Sequence, residues 1–156
     1  MEIIPRAWFT VAWYKIRTSN KKAFEQGTIW AAWEHFFAKG IFDKVENKLD
    51  DRIYAVYSNF EEGFEDDNMN KEYDLIIGCK TSDTTWLLKW LSAVDIPEQN
   101  YAKHVAIGEL PLSVVKTWEE IWNSDIKKNN TVDFEVYGYN SQKWKDSEVD
   151  IYVWVK

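Results

Sequence analysis

The chain has 156 residues, a length that fits one domain with a single core. It is 46% hydrophobic, with 10 Trp, 8 Tyr and 8 Phe, which excludes a disordered protein. Tryptophan is rarely buried completely, so some of these rings are expected to line a surface or a cleft. The formal net charge of -7, without a segregated basic patch, disfavours binding to nucleic acid. A single cysteine, no apolar run of membrane-spanning length and no signal peptide predict a cytoplasmic protein that does not enter a membrane.

Hydrophobic spacing predicts three strands and one helix in the first half of the chain. The strands are predicted over residues 7–14, 52–58 and 73–80. Turn and capping residues follow the first strand at 18–20. Apolar residues at helical spacing predict a helix over 29–37, with Gly40 as its stop. The acidic, polar connection over 61–71 is expected to be exposed.

The second half of the chain repeats this order. Its strands are predicted over residues 100–107, 132–137 and 149–155. Gly108 ends the first of them, and Pro111 suits the first turn of a helix. Apolar residues at helical spacing over 114–122 form that helix. A polar hairpin loop over 140–147 joins the last two strands.

The two halves form an internal repeat, with pseudo-repeats at about 6–81 and 98–156 of a single domain, 1–156. The matching segments are 33–34 with 118–119, 53–57 with 133–137, and 74–77 with 150–153. Two β-α-β-β units of this kind pair into one antiparallel, concave sheet with two main helices on one face, an α+β fold. The other face is then expected to be free to form a shallow groove.

Six short stretches resemble one family, and they occur in the order that the family shows. They are residues 18–20, 29–36, 53–57, 73–78, 96–101 and 133–137. The chain thereby resembles the GyrI-like effector-binding domain, the ligand-binding half of some AraC-type and MerR-type regulators, which also occurs as free-standing proteins. Trp30 stands where the family has a helix-start proline, and Trp86 and Trp90 stand where the family varies freely. No helix-turn-helix precedes Met1, so no direct promoter binding is expected.

Strand alternation singles out Glu135 as a candidate binding residue. Phe134 and Val136 share one face, which is expected to pack on the helices, so Glu135 and Tyr137 point to the groove. The repeat partner of Glu135 is Ala55, which places a negative charge on only one side of the pseudo-symmetric site. The family resemblance implies that an acidic residue in such a cleft meets cationic, lipophilic ligands. A carboxylate framed by aromatic rings suits such a cation physically.

An alternative interpretation is that Glu135 is an exposed strand residue that pairs with a lysine, Lys103 or Lys156. Such surface ion pairs are common and weak. Strand alternation alone does not separate the two interpretations.

Other aromatic residues are candidates on different grounds. Tyr152 and Trp154 lie opposite the apolar face of the last strand, and Tyr57 is the repeat partner of Tyr137. Trp33 and Trp118 lie on apolar helix stripes typical of a core, but the resemblance places the equivalent of Trp33 near the pocket. With Tyr73, which can close one end, and His104, which can face the groove, the candidate ligand-binding residues are Glu135, Tyr137, Trp33, Tyr57, Tyr73, Tyr152, Trp154 and His104.

No cofactor and no metal are expected, because the sequence has no metal-ligand spacing, phosphate loop or nucleophile elbow. The leading hypothesis is a binder of small lipophilic molecules, with cationic aromatic drugs or effectors as ligands. A second is hydrolysis of cyclopropane-containing genotoxins, which the resemblance allows, with Glu135 as the catalytic residue that activates water. A third is an interaction module that contacts a toxin or a regulatory protein partner.

Overall fold

The computed structural model describes residues 1–85, 87 and 91–156, so Trp86 and Trp90 lie outside the described residues. The strands are β1 Glu2–Arg6, β2 Phe9–Ser19, β3 Ile53–Ser58, β4 Glu72–Thr81, β5 Ser92–Ile96, β6 Gln99–Ile107, β7 Lys128–Tyr137 and β8 Glu148–Val155. The helices are α1 Asn20–Gln26, α2 Thr28–Ala38, α3 Ile41–Lys44 and α4 Leu112–Trp122. None of these helices is long and apolar enough to cross a membrane.

The strands form one antiparallel sheet in the order β1-β6-β8-β7-β3-β4-β2-β5. The predicted α+β fold with a repeated β-α-β-β unit is confirmed, because β2-α2-β3-β4 and β6-α4-β7-β8 occupy equivalent places on the two sides of the sheet. Ala55 lies directly opposite Glu135 where β3 pairs with β7. The pseudo-twofold axis therefore passes between the two residues that the repeat aligns.

The two halves exchange their edge strands. β1 precedes β2 in the chain but pairs with β6, and β5 precedes β6 but pairs with β2. Sequence analysis predicts neither strand. Both are only five residues long, and β1 contains a proline, which is tolerated at a sheet edge.

Residues 18–20, predicted as turn and capping residues, form the end of β2 and the start of a short helix, since Ser19 is the last residue of β2 and Asn20 the first of α1. Lys22 N donates to Ser19 Oγ at 3.2 Å, so Ser19 caps α1. Gly27 then ends α1 in the left-handed conformation, with φ of 65°, which glycine adopts without steric cost. The chain can therefore turn sharply into α2, which carries the predicted apolar stripe.

The helices cover one face of the sheet, each over its own half. α2 packs Ala32 and Phe36 into a buried cluster with Leu75 and Ile77 of β4. α4 packs Trp118 and Ile121, among others, against the inner strands of the second half. The sheet is thus anchored on both sides of its centre, and the two helices flank the pseudo-twofold axis.

The helix-free face carries a packed core of its own instead of an open groove. The rings of Phe9 on β2 and Phe134 on β7 have centroids 5.3 Å apart, although β3 and β4 lie between their strands. Three strand spacings in a flat sheet would separate them by about 14 Å. The sheet therefore curls around this face, which also buries Tyr54, Tyr101 and Tyr152.

This arrangement corrects the predicted position of the groove. Phe134 and Val136 face the helix-free core, whereas Glu135 and Tyr137 face the helices. Alternation along β7 separates the two pairs correctly, but both faces of the sheet are buried and apolar. The pattern of β7 alone therefore does not tell which face receives α2 and α4.

Candidate functional site

A cavity of about 1260 Å³ lies between α2, α4 and the centre of the sheet. Its walls are aromatic and aliphatic side chains from both helices and from the loops that follow β3 and β6. Phe24, Trp30 and Phe37 line it while remaining 56%, 60% and 62% exposed, so they border its mouth. Its size and apolar walls suit a small lipophilic molecule.

Glu135 lies at the centre of the cavity floor and is only 1% exposed. Its Oε1 accepts hydrogen bonds from Trp118 Nε1 at 2.7 Å and from Tyr57 Oη at 3.0 Å. Its Oε2 accepts one from Tyr137 Oη at 2.6 Å. The alternative of an exposed glutamate paired with a lysine is wrong, and Lys103 pairs with a carboxylate of β8 instead.

Burial controls the ionisation of this cluster. Desolvation raises the pKa of Glu135, and the hydrogen bonds from Tyr137, Trp118 and Tyr57 only partly offset that rise. Burial, together with the nearby Glu135, raises the pKa of Tyr57 and of Tyr137 well above the ordinary value. Both hydroxyls therefore stay protonated and can donate to the ionised carboxylate.

The rings around Glu135 follow the pseudo-twofold axis. Trp33 of α2 packs edge-to-face on Tyr137, with centroids 4.8 Å apart. Trp118 of α4 packs edge-to-face on Tyr57, at 5.7 Å. Each helix thus contacts the central tyrosine of the opposite half, and the two contacts hold both hydroxyls against one carboxylate.

A second charged group lies in the same cavity. Lys128 Nζ is 2.7 Å from Asp133 Oδ2, and their side chains are 12% and 1% exposed. The ammonium also lies 5.6 Å, 5.9 Å and 5.3 Å from the ring centroids of Phe60, Phe64 and Trp118. We call this carboxylate and these three rings the Lys128 cage.

The Lys128 cage depends on two departures from the predicted structure. The connection over 61–71, expected to be exposed, turns Phe64 inward until it is 4% exposed. β7 begins at Lys128 instead of residue 132, and its pairing with β8 shifts between Lys128 and Asp133. Sequence analysis therefore misses the cage, because neither the loop nor the extra strand residues show a periodic pattern.

The structure brings five of the eight predicted site residues together. Those that line the cavity are Glu135, Tyr137, Trp33, Tyr57 and Tyr73. Tyr73 is 2% exposed and donates its hydroxyl to Asn20 Oδ1 at 2.8 Å. Trp118, interpreted as a core residue, is part of that core and also lines the cavity and donates to Glu135. Its repeat relation to Trp33 is the sequence feature that points to this second role.

The other three predicted residues lie elsewhere. Tyr152 stacks on Phe134 in the helix-free core, with centroids 4.7 Å apart, and Trp154 packs against that core. They do not line the cavity, because the face assigned to the groove is the opposite one. His104 lies in a separate, smaller cavity with Thr117, and desolvation lowers its pKa.

The other reactive side chains among the described residues do not form a second reactive centre. Burial raises the pKa of the Cys79 thiol to about 12, so it is not a thiolate at neutral pH. Across the described part of the chain, no three His, Cys, Asp or Glu side chains are grouped to hold a metal ion.

Comparison with known proteins identifies relatives along nearly the whole chain. The model of a family described as Cass2, integron-associated effector binding protein, matches residues 2–155. A protein of Bacillus subtilis (strain 168) named "Putative transcriptional regulator protein YobU" is 30% identical over 145 residues, 90% of this chain and 88% of the relative. An integron cassette protein of Vibrio cholerae superposes with a TM-score of 0.76 at 26% identity, over 99% of this chain and 95% of that one. The structure of SAV2435 bound to tetraphenylphosphonium superposes with a TM-score of 0.80 at 16% identity, over 99% and 93%, and shares the fold.

Proposed function

The chain belongs to the Cass2 family of integron-associated effector-binding proteins, and we propose that its effectors are lipophilic aromatic molecules that carry a positive charge. The ligand would lie between α2 and α4, with its charge beside Glu135 and its rings against the aromatic walls. Trp33, Tyr57, Tyr73, Trp118 and Tyr137 would supply those walls.

The observation that carries this proposal is a buried carboxylate without a cation. Among the described residues, Asp133 and Glu135 are the two buried acidic side chains. Asp133 is paired with Lys128, whereas the hydrogen-bond partners of Glu135 are neutral donors. An ionised carboxylate in a partly dry site gains much more from a nearby opposite charge than one in water does.

The cavity walls favour a cation that is itself lipophilic. An aromatic face attracts a cation by about 0.5–2 kcal/mol, the larger value applying when water is excluded. A compact, strongly hydrated cation would lose its water on entry, so a delocalised or shielded charge fits better. The tetraphenylphosphonium bound by SAV2435 is a ligand of this chemical type, which supports the proposal by analogy of fold.

Hydrolysis with Glu135 as the base has weaker support than binding. Oε1 already accepts two hydrogen bonds and Oε2 accepts one, which leaves little capacity to orient a water. Tyr57 and Tyr137 cannot act as a second base, because burial raises the pKa of both hydroxyls. These hydrogen bonds fix the orientation of the Glu135 carboxylate, which favours binding of a cation over activation of a water molecule.

Glu135→Gln tests the proposal, since it keeps the shape of the side chain and removes its charge. We expect tetraphenylphosphonium affinity, measured by tryptophan fluorescence and calorimetry, to fall at least tenfold, about 1.4 kcal/mol. Affinity for the neutral triphenylphosphine oxide is expected to change by less than threefold. Equal binding of the phosphonium by both proteins would contradict the proposal.

Glu72→Gln is the matched control. It removes the same formal charge from a surface ion pair, where Glu72 Oε2 lies 2.7 Å from Lys22 Nζ. Since surface pairs contribute little and are screened by salt, this variant is expected to bind both probes as the wild type does.

A further inference from the structure

The Lys128 cage has the composition of a cation-binding site that already contains a cation. Aromatic faces and a carboxylate are the groups that bind ammonium ions in proteins, and here they surround the side chain of the same chain. With its side chain only 12% exposed, Lys128 has little contact with water. It is therefore held in the cavity by its surroundings and is not a solvated surface lysine.

The cage adjoins the carboxylate of Glu135. Asp133 and Glu135 are two positions apart on β7, a separation of roughly 7 Å along a strand. Trp118 links the cage to Glu135, since its Nε1 donates to Glu135 while its ring lies 5.3 Å from Lys128 Nζ. Four carboxylates line the cavity, and two of them, Glu34 and Asp51, are exposed to solvent. The two buried ones, Asp133 and Glu135, are neighbours on β7, and of these Asp133 is paired with a cation.

We propose that Lys128 restricts the cavity to ligands with a single positive charge, because it occupies the cation site that a second charge would need. This inference rests on the proposed function, since it concerns ligands that bind beside Glu135. A dication that brings one charge to Glu135 meets the Lys128 ammonium with the other, and like charges repel strongly in a partly dry site. Lys128 then acts as a specificity-determining residue.

Two probes of nearly the same shape test the inference on the wild-type protein. N-methyl-phenylpyridinium and methyl viologen each consist of two linked aromatic rings, but the first has one charge and the second has a charge at each end. We expect the wild type to bind the monocation at least tenfold more tightly than the dication. Equal affinities would overturn the inference without the need for any variant.

Lys128→Met sharpens the test, because it removes the resident charge and leaves Asp133 free to receive another. We expect the ratio of dication to monocation affinity to rise at least tenfold. Lys128→Met/Asp133→Asn, which has a neutral cage, is expected to raise the ratio less. An unchanged ratio in both variants, once circular dichroism shows them folded at the titration temperature, overturns the inference.

Lys48→Met is the matched control variant. Lys48 Nζ lies 4.3 Å from the centroid of the Phe42 ring at the other end of the cavity and donates to the Phe42 carbonyl at 2.7 Å. The variant loses the same charge outside the cage, so its ratio is expected to match that of the wild type. Failure of all the proteins to bind the monocation or tetraphenylphosphonium would overturn the proposed function and this inference together. Monocation binding with an unchanged ratio would overturn this inference alone.

Discussion

The two ends of the cavity are built from equivalent parts of the repeat, yet they differ in charge. At one end Trp33 packs on Tyr137, which pairs with Ile53 across the two central strands. At the other end Trp118 packs on Tyr57, which pairs with Asp133. The rings are therefore conserved between the halves of this chain, whereas the ionisable group is present in only one.

The same contrast holds at the pseudo-twofold axis, whereas a lysine precedes the aligned strand in both halves. Ala55 faces Glu135 across the sheet, so one half provides space and the other provides the carboxylate. The alignment that pairs residues 53–57 with 133–137 also places Lys48 against Lys128. A symmetric aromatic frame can thus bind an asymmetric ligand in one orientation, because only charge distinguishes its two ends.

The largest expected effect is on stability, and it comes from removing the charge of Lys128 beside Asp133. Lys128→Met leaves Asp133 buried without its cation, which typically lowers the free energy of unfolding by about 3–5 kcal/mol. Lys48→Met removes the equivalent lysine where no buried carboxylate depends on it, so a loss below about 1 kcal/mol is expected. Urea unfolding followed by circular dichroism measures both, and similar losses would mean that the two ends do not differ as described.

A smaller effect follows from the raised pKa of Glu135. The equivalent residue of the other half, Ala55, does not titrate. The folded protein keeps this proton to a higher pH than the unfolded chain, whose ordinary value is 4.5. The free energy of unfolding should therefore fall, relative to Glu135→Gln, as the pH rises above 4.5 through the folded pKa, by at most about 1.4 kcal/mol per pH unit. Over the same range the affinity for tetraphenylphosphonium, a permanent cation, should rise in the wild type and stay flat in the variant. Parallel pH profiles of the two proteins would exclude Glu135 as the titrating group.

The smallest effect distinguishes the two helix tryptophans. Trp118→Phe removes a donor to Glu135 Oε1 and should raise the pH midpoint of phosphonium binding by about one unit, since a hydrogen bond to a charged group is worth about 1.5 kcal/mol or more. Trp33→Phe keeps the edge-to-face packing on Tyr137 and should leave that midpoint unchanged. Titrations at several pH values test the pair, and a common shift would show that both rings act only through packing.

Periodicity and the repeat predicted most of the fold. The helices near 29–37 and 114–122 and the inner strands were predicted because each has a continuous apolar pattern of the right period. The resemblance to GyrI-like effector-binding domains is confirmed at the level of the family. The edge strands β1 and β5 were missed, because their pairing with the opposite half depends on contacts far along the chain.

The candidate site, like the fold, was predicted from the sequence in part. The sequence by itself determined that Glu135 and Tyr137 share a face, that Tyr57 is the partner of Tyr137, and that one half alone carries the central charge, since these follow from strand period and repeat alignment. Only the tertiary structure decided that this face lies under the helices, that Tyr152 and Trp154 belong to the opposite core, and that Lys128 enters the cavity. The curl of the sheet and the path of the loop after β3 place those groups. The curl and the loop path arise from packing between segments that are far apart in the chain, so a local sequence pattern does not predict them.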